Sequence, residues 1–79
     1  MTKLLLEEQV FTTIAKKLQL DVKILSRDTY FRNDLGLSSL RSMQLVCDIE
    51  DEFKIEIDEV DIIKLQTIGQ LIDYIAAKK

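Results

Sequence analysis

The stretch Asp34-Leu35-Gly36-Leu37-Ser38-Ser39-Leu40 predicts a tight turn that leads directly into a helix. Aspartate and glycine at this spacing are typical of a turn, and serine at position 38 is typical of a helix N-cap. Ser39 then lies in the first helical turn, where unpaired backbone N–H groups give the helix end a partial positive charge. A phosphate ester on its hydroxyl would be stabilised there, so a modifiable serine is the strongest functional indication in the chain.

Apolar periodicity around this stretch predicts an all-α fold, a small bundle of three main helices plus one short helix. The chain has no proline and two glycines, so little in it interrupts a helix. The predicted helices span residues 3–18, 39–53, 59–64 and 67–77. The candidate N-caps are Thr2, Ser38, Asp58 and Thr67. Gly69, early in the last helix, either weakens that helix or allows another element to approach closely.

Each main helix has one apolar face that can be buried in a shared core. The predicted core residues are Leu6, Val10, Phe11, Ile14 and Leu18 in the first helix, Leu45, Val46, Ile49 and Phe53 in the second, and Ile68, Leu71, Ile72 and Ile75 in the last. The second helix has another apolar strip on its opposite side, formed by Leu40, Met43 and Cys47. An exposed apolar strip with a charged rim is typical of a docking surface. The alternative is that Leu40 and Met43 lie under a neighbouring loop.

Two connections complete the predicted fold. Residues 19–38 are expected to form a long loop whose scattered apolar residues pack over the helices. These residues are Leu20, Val22, Ile24, Leu25, Tyr30 and Phe31. Residues 54–58 alternate like a strand but would have no partner strand, so we expect an extended loop with Ile57 pointing into the core.

Composition excludes several classes of function. The chain has 79 residues and is 47% hydrophobic, which suits one small domain with a modest core. There is no histidine and one cysteine, Cys47, so no catalytic residue and no metal site is predicted. The acids from Asp48 to Glu59 have the spacing of a calcium loop, but Phe53 occupies the position that requires glycine. No apolar run is long enough to cross a membrane and no signal peptide is evident, so we expect a cytoplasmic protein.

Charge is distributed unevenly along the chain. Residues 34–61 have a net charge of −7, whereas residues 1–33 and 62–79 each have a net charge of +2. The acidic middle would repel nucleic acid and attract basic protein surfaces. The alternative interpretation is a solvated helix face.

Three stretches together resemble the acyl carrier protein family. Asp34-Leu35-Gly36 followed by Ser39-Leu40 is similar to that family's D-L-G-x-D-S-L attachment motif. The stretch Ile49-Glu50-Asp51-Glu52-Phe53 resembles the end of its second helix, and residues 67–75 resemble its final helix. The resemblance covers nearly the whole chain, so residues 1–79 are expected to form a single acyl carrier domain, and the initiating Met1 favours a free-standing protein.

The resemblance implies a role for Ser39. A phosphopantetheinyl transferase would attach 4′-phosphopantetheine from coenzyme A to its hydroxyl, and the thiol of that arm would hold acyl intermediates as thioesters. Asp34, Gly36, Ser38 and Leu40 would surround the attachment site.

The resemblance also implies a monomeric, non-catalytic carrier without nucleic-acid or membrane partners. Its partners would be loading and processing enzymes such as a ligase or adenylation enzyme, a ketosynthase and an acyltransferase. The docking positions implied on the second helix are Leu40, Arg41, Met43, Gln44, Cys47, Glu50 and Asp51. The implied lining for an acyl chain in the core is Leu45, Val46, Ile49, Phe53, Ile57, Leu65 and Ile75.

Two departures from the family pattern bear on the pathway. Ser38 stands where the family usually has aspartate, which leaves two adjacent hydroxyls, of which position and the following Leu40 favour Ser39. Arg41 and Gln44 lie where fatty-acid carriers commonly have acids, which indicates a specialised fatty-acid, polyketide or related lipid pathway. One alternative is an aminoacyl or peptidyl carrier of a nonribosomal or D-alanylation-type pathway. Another is a helical interaction module that is never modified, because a serine N-cap is structurally sufficient by itself.

Overall fold

A computed structural model describes residues 3–78, so the predicted N-cap Thr2 lies outside the described residues. The elements in chain order are α1 (Lys3–Leu18), a 3-10 turn (Val22–Ile24), α2 (Ser39–Phe53), α3 (Glu59–Lys64) and α4 (Ile68–Lys78). The all-α prediction and the limits of the first three helices are confirmed. The last helix begins and ends one residue later than predicted.

The core lies where α1 packs against α2 and α4. Its fully buried side chains, each with an exposed fraction of 0%, are Val10, Ile14, Ile49, Ile68, Leu71, Ile72 and Ile75. Burying a side chain of this size contributes about 1.5–3 kcal/mol. The predicted core faces are confirmed, except that Phe11 and Leu18 are half-buried at the edge of the core.

The segment of residues 19–38 differs from its prediction. Leu25 and Phe31 are buried, but Val22, Ile24 and Tyr30 are exposed, so only part of its apolar surface packs over the helices. The segment is also not structureless, because its 3-10 turn begins at Asp21, whose side chain accepts a hydrogen bond from the Lys23 N–H. None of the three residues of this turn is buried, although the turn lies against α1.

Arg27 connects this segment to α1 and α4. Its guanidinium donates to the Glu7 carboxylate, and its Nη2 donates to the two oxygens of Asp73 at 2.8 and 2.9 Å. The hydrogen bond with Asp73, and then that with Glu7, raises the pKa of Arg27. Because the Arg27 side chain is 40% exposed, solvent screens these ion pairs. Their main effect is to orient the segment.

The backbone of the same segment meets the start of α4. The Arg27 carbonyl accepts the Gly69 N–H at 2.9 Å, and the Thr29 carbonyl accepts the Ile68 N–H at 3.1 Å. The Gln70 N–H donates to Thr67 Oγ1 at 3.2 Å, which confirms Thr67 as the cap. A Cβ at Gly69 would lie 2.8 Å from the Arg27 carbonyl oxygen, so this glycine allows a close approach, one of the two predicted alternatives.

The connection from α2 to α4 contains α3, which side chains hold against α4 and the core. Ile57 is buried, as predicted, and Tyr74 on α4 donates its O–H to Asp61 Oδ2 at 2.7 Å. Of the six residues of α3, Ile62 is the buried one. Asp58 occupies the predicted N-cap position, but its side chain forms no cap hydrogen bond within residues 3–78.

None of the helices in residues 3–78 combines the length and the apolar character that a membrane crossing requires.

Candidate functional site

A short turn leads into α2 and ends at Gly36. The Leu37 N–H donates to the Phe31 carbonyl, and the Gly36 N–H donates to the Arg32 carbonyl, both at 3.0 Å. Gly36 has a left-handed φ of 67°, which lets the chain reverse direction at the end of this turn. Phe31 and Leu37, which the first of these hydrogen bonds connects, are both buried. The turn therefore fixes the direction in which the chain enters α2.

Asp34 stabilises this turn with its side chain. Its Oδ2 accepts the Tyr30 N–H at 2.7 Å, and its own N–H donates to the Tyr30 carbonyl at 3.1 Å. The aspartate of the attachment motif thus acts on the backbone that precedes α2. Gly36 serves the same turn through its left-handed φ, since a Cβ there would have nothing within 4 Å.

The two adjacent serines have different structural positions. Ser38 is the N-cap, as predicted, and its Oγ accepts the Arg41 N–H at 3.2 Å. Ser39 is the first residue of α2 and is exposed. The cap is supplied by Ser38, so the Ser39 hydroxyl stands at the positive end of a 15-residue helix without serving as its cap. A phosphate bound there would be stabilised by the helix N–H groups.

A cleft of about 410 Å³ opens beside Ser39. Its walls are the turn before α2, the beginning of α2, and α3 with the residues that follow it. Its apolar lining consists of Phe31, Met43, Ile62, Ile63 and Leu65. Polar side chains at the cleft include Arg32, Asn33, Ser42 and Gln66.

The acyl-chain lining implied by the family resemblance does not match this cleft. Of the seven implied residues, Leu65 lines it. The other six, Leu45, Val46, Ile49, Phe53, Ile57 and Ile75, are buried core residues. These six lie in the core because the apolar face of α2 turns towards α1, whereas the cleft lies between α2 and α3. Their role in holding an acyl chain stays a prediction.

Ser42 lies one turn after Ser39 and lines the cleft. Its N–H donates to the Ser38 carbonyl at 2.9 Å. Its Oγ is buried and has no hydrogen-bond partner among the described residues. A buried hydroxyl in this condition costs about 1–3 kcal/mol, and such groups are rare in native structures.

The predicted docking strip lies on the outer face of α2. Leu40 is 66% exposed, Met43 is 41% exposed, and Cys47 is also exposed. Exposure of the strip is therefore confirmed, and the alternative that a loop covers Leu40 and Met43 is wrong. Arg41, Gln44 and Asp51 are exposed as well.

Glu50 was predicted as a docking residue, but it also has a structural role. Its side chain is half-buried, and its Oε2 accepts the Ile57 N–H at 2.8 Å. This contact forms because Lys54, the C-cap of α2, has a left-handed φ of 56° that turns the chain back towards Glu50. Asp51, by contrast, is exposed.

Cys47 lies beside three acids of α2. Burial raises the pKa of its thiol, and the charges of Glu50, Asp51 and Asp48 raise it further. The thiol is therefore protonated at neutral pH, which makes it a weak nucleophile.

Two exposed apolar residues on α3 were not predicted as part of the site. Val60 is 65% exposed and Ile63 is 78% exposed. Their i, i+3 spacing in a helix too short to bury two faces was the available sequence signal. Ile63 and Met43 both line the cleft, so exposed apolar surface continues across it from α2 to α3.

The described residues contain no cluster of three or more carboxylate or thiol side chains that could hold a metal ion. The site is therefore defined by an exposed serine hydroxyl, a helix N-terminus, a cleft and an exposed apolar strip.

Comparison with known proteins agrees with this arrangement. Residues 8–75 match the protein family described as "Phosphopantetheine attachment site". The acyl carrier protein of an Exiguobacterium species is 40% identical over 78 residues, which cover 99% of each chain. The acyl carrier protein of Chlorobium phaeobacteroides is 33% identical over 99% of this chain and 100% of its own. That of Lactobacillus johnsonii is 38% identical over 87% of this chain and 91% of its own.

Among solved structures, the acyl carrier protein from Enterococcus faecalis superimposes with a TM-score of 0.81. It is 28% identical, and the match covers 100% of both chains. Proteins of this family are carriers that work with partner enzymes and are generally not catalysts themselves. The chain belongs to the acyl carrier protein family and functions as a phosphopantetheine-bearing carrier of acyl groups.

Proposed function

We propose that Ser39 is the residue to which the phosphopantetheine arm is attached. The observation that supports this is the different use of two adjacent hydroxyls, since Ser38 caps α2 and Ser39 does not. Ser39 is exposed, stands at the positive end of α2 and borders the cleft. The bound group supplies a terminal thiol for a thioester. The residues of this chain position its phosphate and present it to partner enzymes.

Mass spectrometry tests this assignment directly. The apo protein is incubated with coenzyme A and a promiscuous phosphopantetheinyl transferase, and the intact mass and the modified peptide are then determined. We expect one arm, on Ser39, and no arm on Ser39→Ala. The matched control is Ser38→Ala, which should accept the arm but lose about 1 kcal/mol of stability with its cap. An arm on folded Ser39→Ala would refute the assignment.

We further propose that the exposed strip Leu40, Met43 and Cys47 is the surface on which partner enzymes dock. These partners are the transferase and the enzymes that load and process the cargo, including a ligase or adenylation enzyme, a ketosynthase and an acyltransferase. The strip lies on the same helix as Ser39, and its rim is acidic towards the end of α2 and basic at Arg41. Basic residues of a partner would face the acids, and an acidic residue would face Arg41.

Opposite charge changes at the two ends of the strip test this docking surface. Asp51→Lys should lower kcat/KM of the transferase about tenfold, through weaker association, with unchanged unfolding. Arg41→Asp should raise turnover by enzymes of fatty-acid synthesis that require an acidic second helix. Glu50→Lys is the wrong probe, because it would also break the hydrogen bond to Ile57. Unchanged transferase kinetics in Asp51→Lys would exclude this rim from docking.

We also infer that residues 1–79 act as one carrier domain without catalytic residues of its own, in a specialised fatty-acid, polyketide or related lipid pathway. The exposed positions of Arg41 and Gln44 on α2 support the specialised pathway. The free, exposed thiol of Cys47 supports a reducing compartment such as the cytoplasm. The mass of cargo-loaded protein purified from its own host would identify the acyl group, and a cargo of long unsubstituted fatty acids would contradict the pathway.

A further inference from the structure

We propose that Ser42 is a specificity-determining residue of the cleft beside Ser39. Its buried hydroxyl forms a hydrogen bond with a polar group that is delivered into the cleft from Ser39, so the cleft prefers a polar occupant to a plain alkyl chain. This inference rests on the proposed attachment of the arm at Ser39.

The positions of the two serines support this role. Ser39 and Ser42 are three residues apart on α2 and therefore lie on the same side of the helix. Both line the cleft. A group tethered to the Ser39 hydroxyl and lying in the cleft must pass close to Ser42.

The Ser42 hydroxyl lacks the partner that a buried hydroxyl needs. Its Oγ is shielded from solvent and forms no hydrogen bond with any described residue. A helical serine can also bond the carbonyl four residues before it, but among residues 3–78 the Ser38 carbonyl accepts the Ser42 backbone N–H and not its hydroxyl. Rotation about the Cα–Cβ bond of Ser42 would turn the hydroxyl into the cleft, where an oxygen or an N–H group of an occupant would pair with it. An alkyl chain would leave the hydroxyl unpaired.

The size of the cleft limits the occupant. Its volume of about 410 Å³ lies in the range of small-ligand pockets. None of the core residues with 0% exposure lines it, but the buried core residues Phe31 and Ile62 do, so the cleft lies at the edge of the core. Met43, Ile62 and Ile63 give it apolar walls on which a short carbon chain can pack.

Two sources of the polar group share this chemistry. One is an amide of the arm itself, and the other is an oxygen of the cargo, as in a short 3-hydroxyacyl group. In both cases the hydroxyl of Ser42 donates to, or accepts from, the group that enters.

A thermal unfolding experiment on the complete chain separates these sources. Wild type, Ser42→Ala and the exposed control Glu52→Ala, which lies on the same helix outside the docking positions, are prepared as apo protein, with the bare arm, with a butyryl arm and with a 3-hydroxybutyryl arm. The cargo is attached by a stable amide in place of the thioester. Intact mass is measured first to confirm loading. A protein that cannot be loaded would contradict attachment of the arm at Ser39. A protein that is loaded but lacks the expected shifts in unfolding temperature would contradict the role of Ser42.

The expected pattern has two parts. Apo Ser42→Ala should unfold about 4 °C or more above wild type, because it loses an unsatisfied hydroxyl and gains a better helix former. Loading should then stabilise wild type more than Ser42→Ala, also by about 4 °C. Glu52→Ala should respond to loading as wild type does.

The polar group is identified by the loaded forms in which wild type gains more thermal stability than Ser42→Ala does. A gain with the bare arm and with both cargoes assigns it to the arm. A gain with the 3-hydroxybutyryl cargo and not with butyryl assigns it to the cargo. Equal gains in wild type and Ser42→Ala for every loaded form would overturn the proposal.

Discussion

The segment before α2 and the short helix α3 after it are held to the bundle in different ways. In residues 19–38, the carbonyl groups of Arg27 and Thr29 accept the first N–H groups of α4. The attachment of α3 depends on side chains, since Tyr74 donates to Asp61, and Ile62 is the residue of α3 that enters the core. The backbone contact of that connection, between the Phe31 N–H and the Gln66 carbonyl, lies after α3.

This difference indicates which wall of the cleft can move. Backbone contacts that cap α4 cannot be released without unpairing the helix start, whereas two side-chain contacts can be lost one at a time. We therefore expect α3 to open at a lower free energy than the turn before α2. The backbone hydrogen bonds from Gly36 and Leu37 add to the rigidity of that turn.

Gly69→Ala should break the first connection and have the largest effect. The new Cβ would lie 2.8 Å from the Arg27 carbonyl oxygen, and backbone cannot yield as a flexible side chain does. We expect a loss of about 2–3 kcal/mol in the free energy of unfolding, measured with urea. Gly36→Ala is the matched comparison. A Cβ at Gly36 would have open space, so only the strained φ disfavours it, and the free energy of unfolding should fall by only about 1 kcal/mol. Equal losses would mean that the close approach at Gly69 is not rigid.

Ile62→Ala should destabilise α3 and leave the segment before α2 unchanged. Removal of the buried side chain of α3 should cost about 2 kcal/mol. Hydrogen exchange should accelerate in residues 59–64 and remain slow in α1, α2 and α4. The control is Ile63→Ala on the same helix, which is 78% exposed in the wild type and should change exchange little. If Ile62→Ala accelerated exchange throughout the bundle, α3 would not be an independent wall.

Tyr74→Phe should give the smallest effect, visible as a change in pH dependence. The hydrogen bond to Asp61 raises the pKa of Tyr74, with burial as the next cause. The stabilising contribution of this tyrosine is therefore present below its ordinary pKa of about 10 and is lost as the pH rises through the raised value. Urea midpoints of wild type should fall towards those of Tyr74→Phe above about pH 10. Parallel curves for the two proteins would show that the bond does not contribute.

The helices were predictable because their signals are local. Apolar periodicity and the cap at Ser38 indicate α2 to the residue, and both lie within the helix or beside it. The contacts of Arg27 were not predictable in the same way. Its partners Glu7 and Asp73 are 20 and 46 residues away, and isolated charged residues leave no periodic pattern.

In the candidate site, too, features with local sequence signals were predictable, whereas features formed by distant residues were not. Ser39 could be found because a turn, a cap and a helix start are adjacent in the chain. The cleft could not, since it forms only where residues near Phe31, Ser42 and Ile63 meet. The role of Glu50 was hidden among neighbouring acids, because its bond to Ile57 depends on the reversal of the chain at Lys54.

The protonated state of Cys47 has a consequence for a carrier of thioesters. Cys47 follows Ser39 by eight residues on α2, a rise of about 12 Å, so an activated acyl group tethered at Ser39 could meet a thiol of its own protein. Transfer of the acyl group to a thiol needs a thiolate, which burial and then the nearby carboxylates disfavour by raising the pKa of Cys47. The same acids that would face basic residues of partner enzymes therefore also lower the tendency of the carrier to acylate itself.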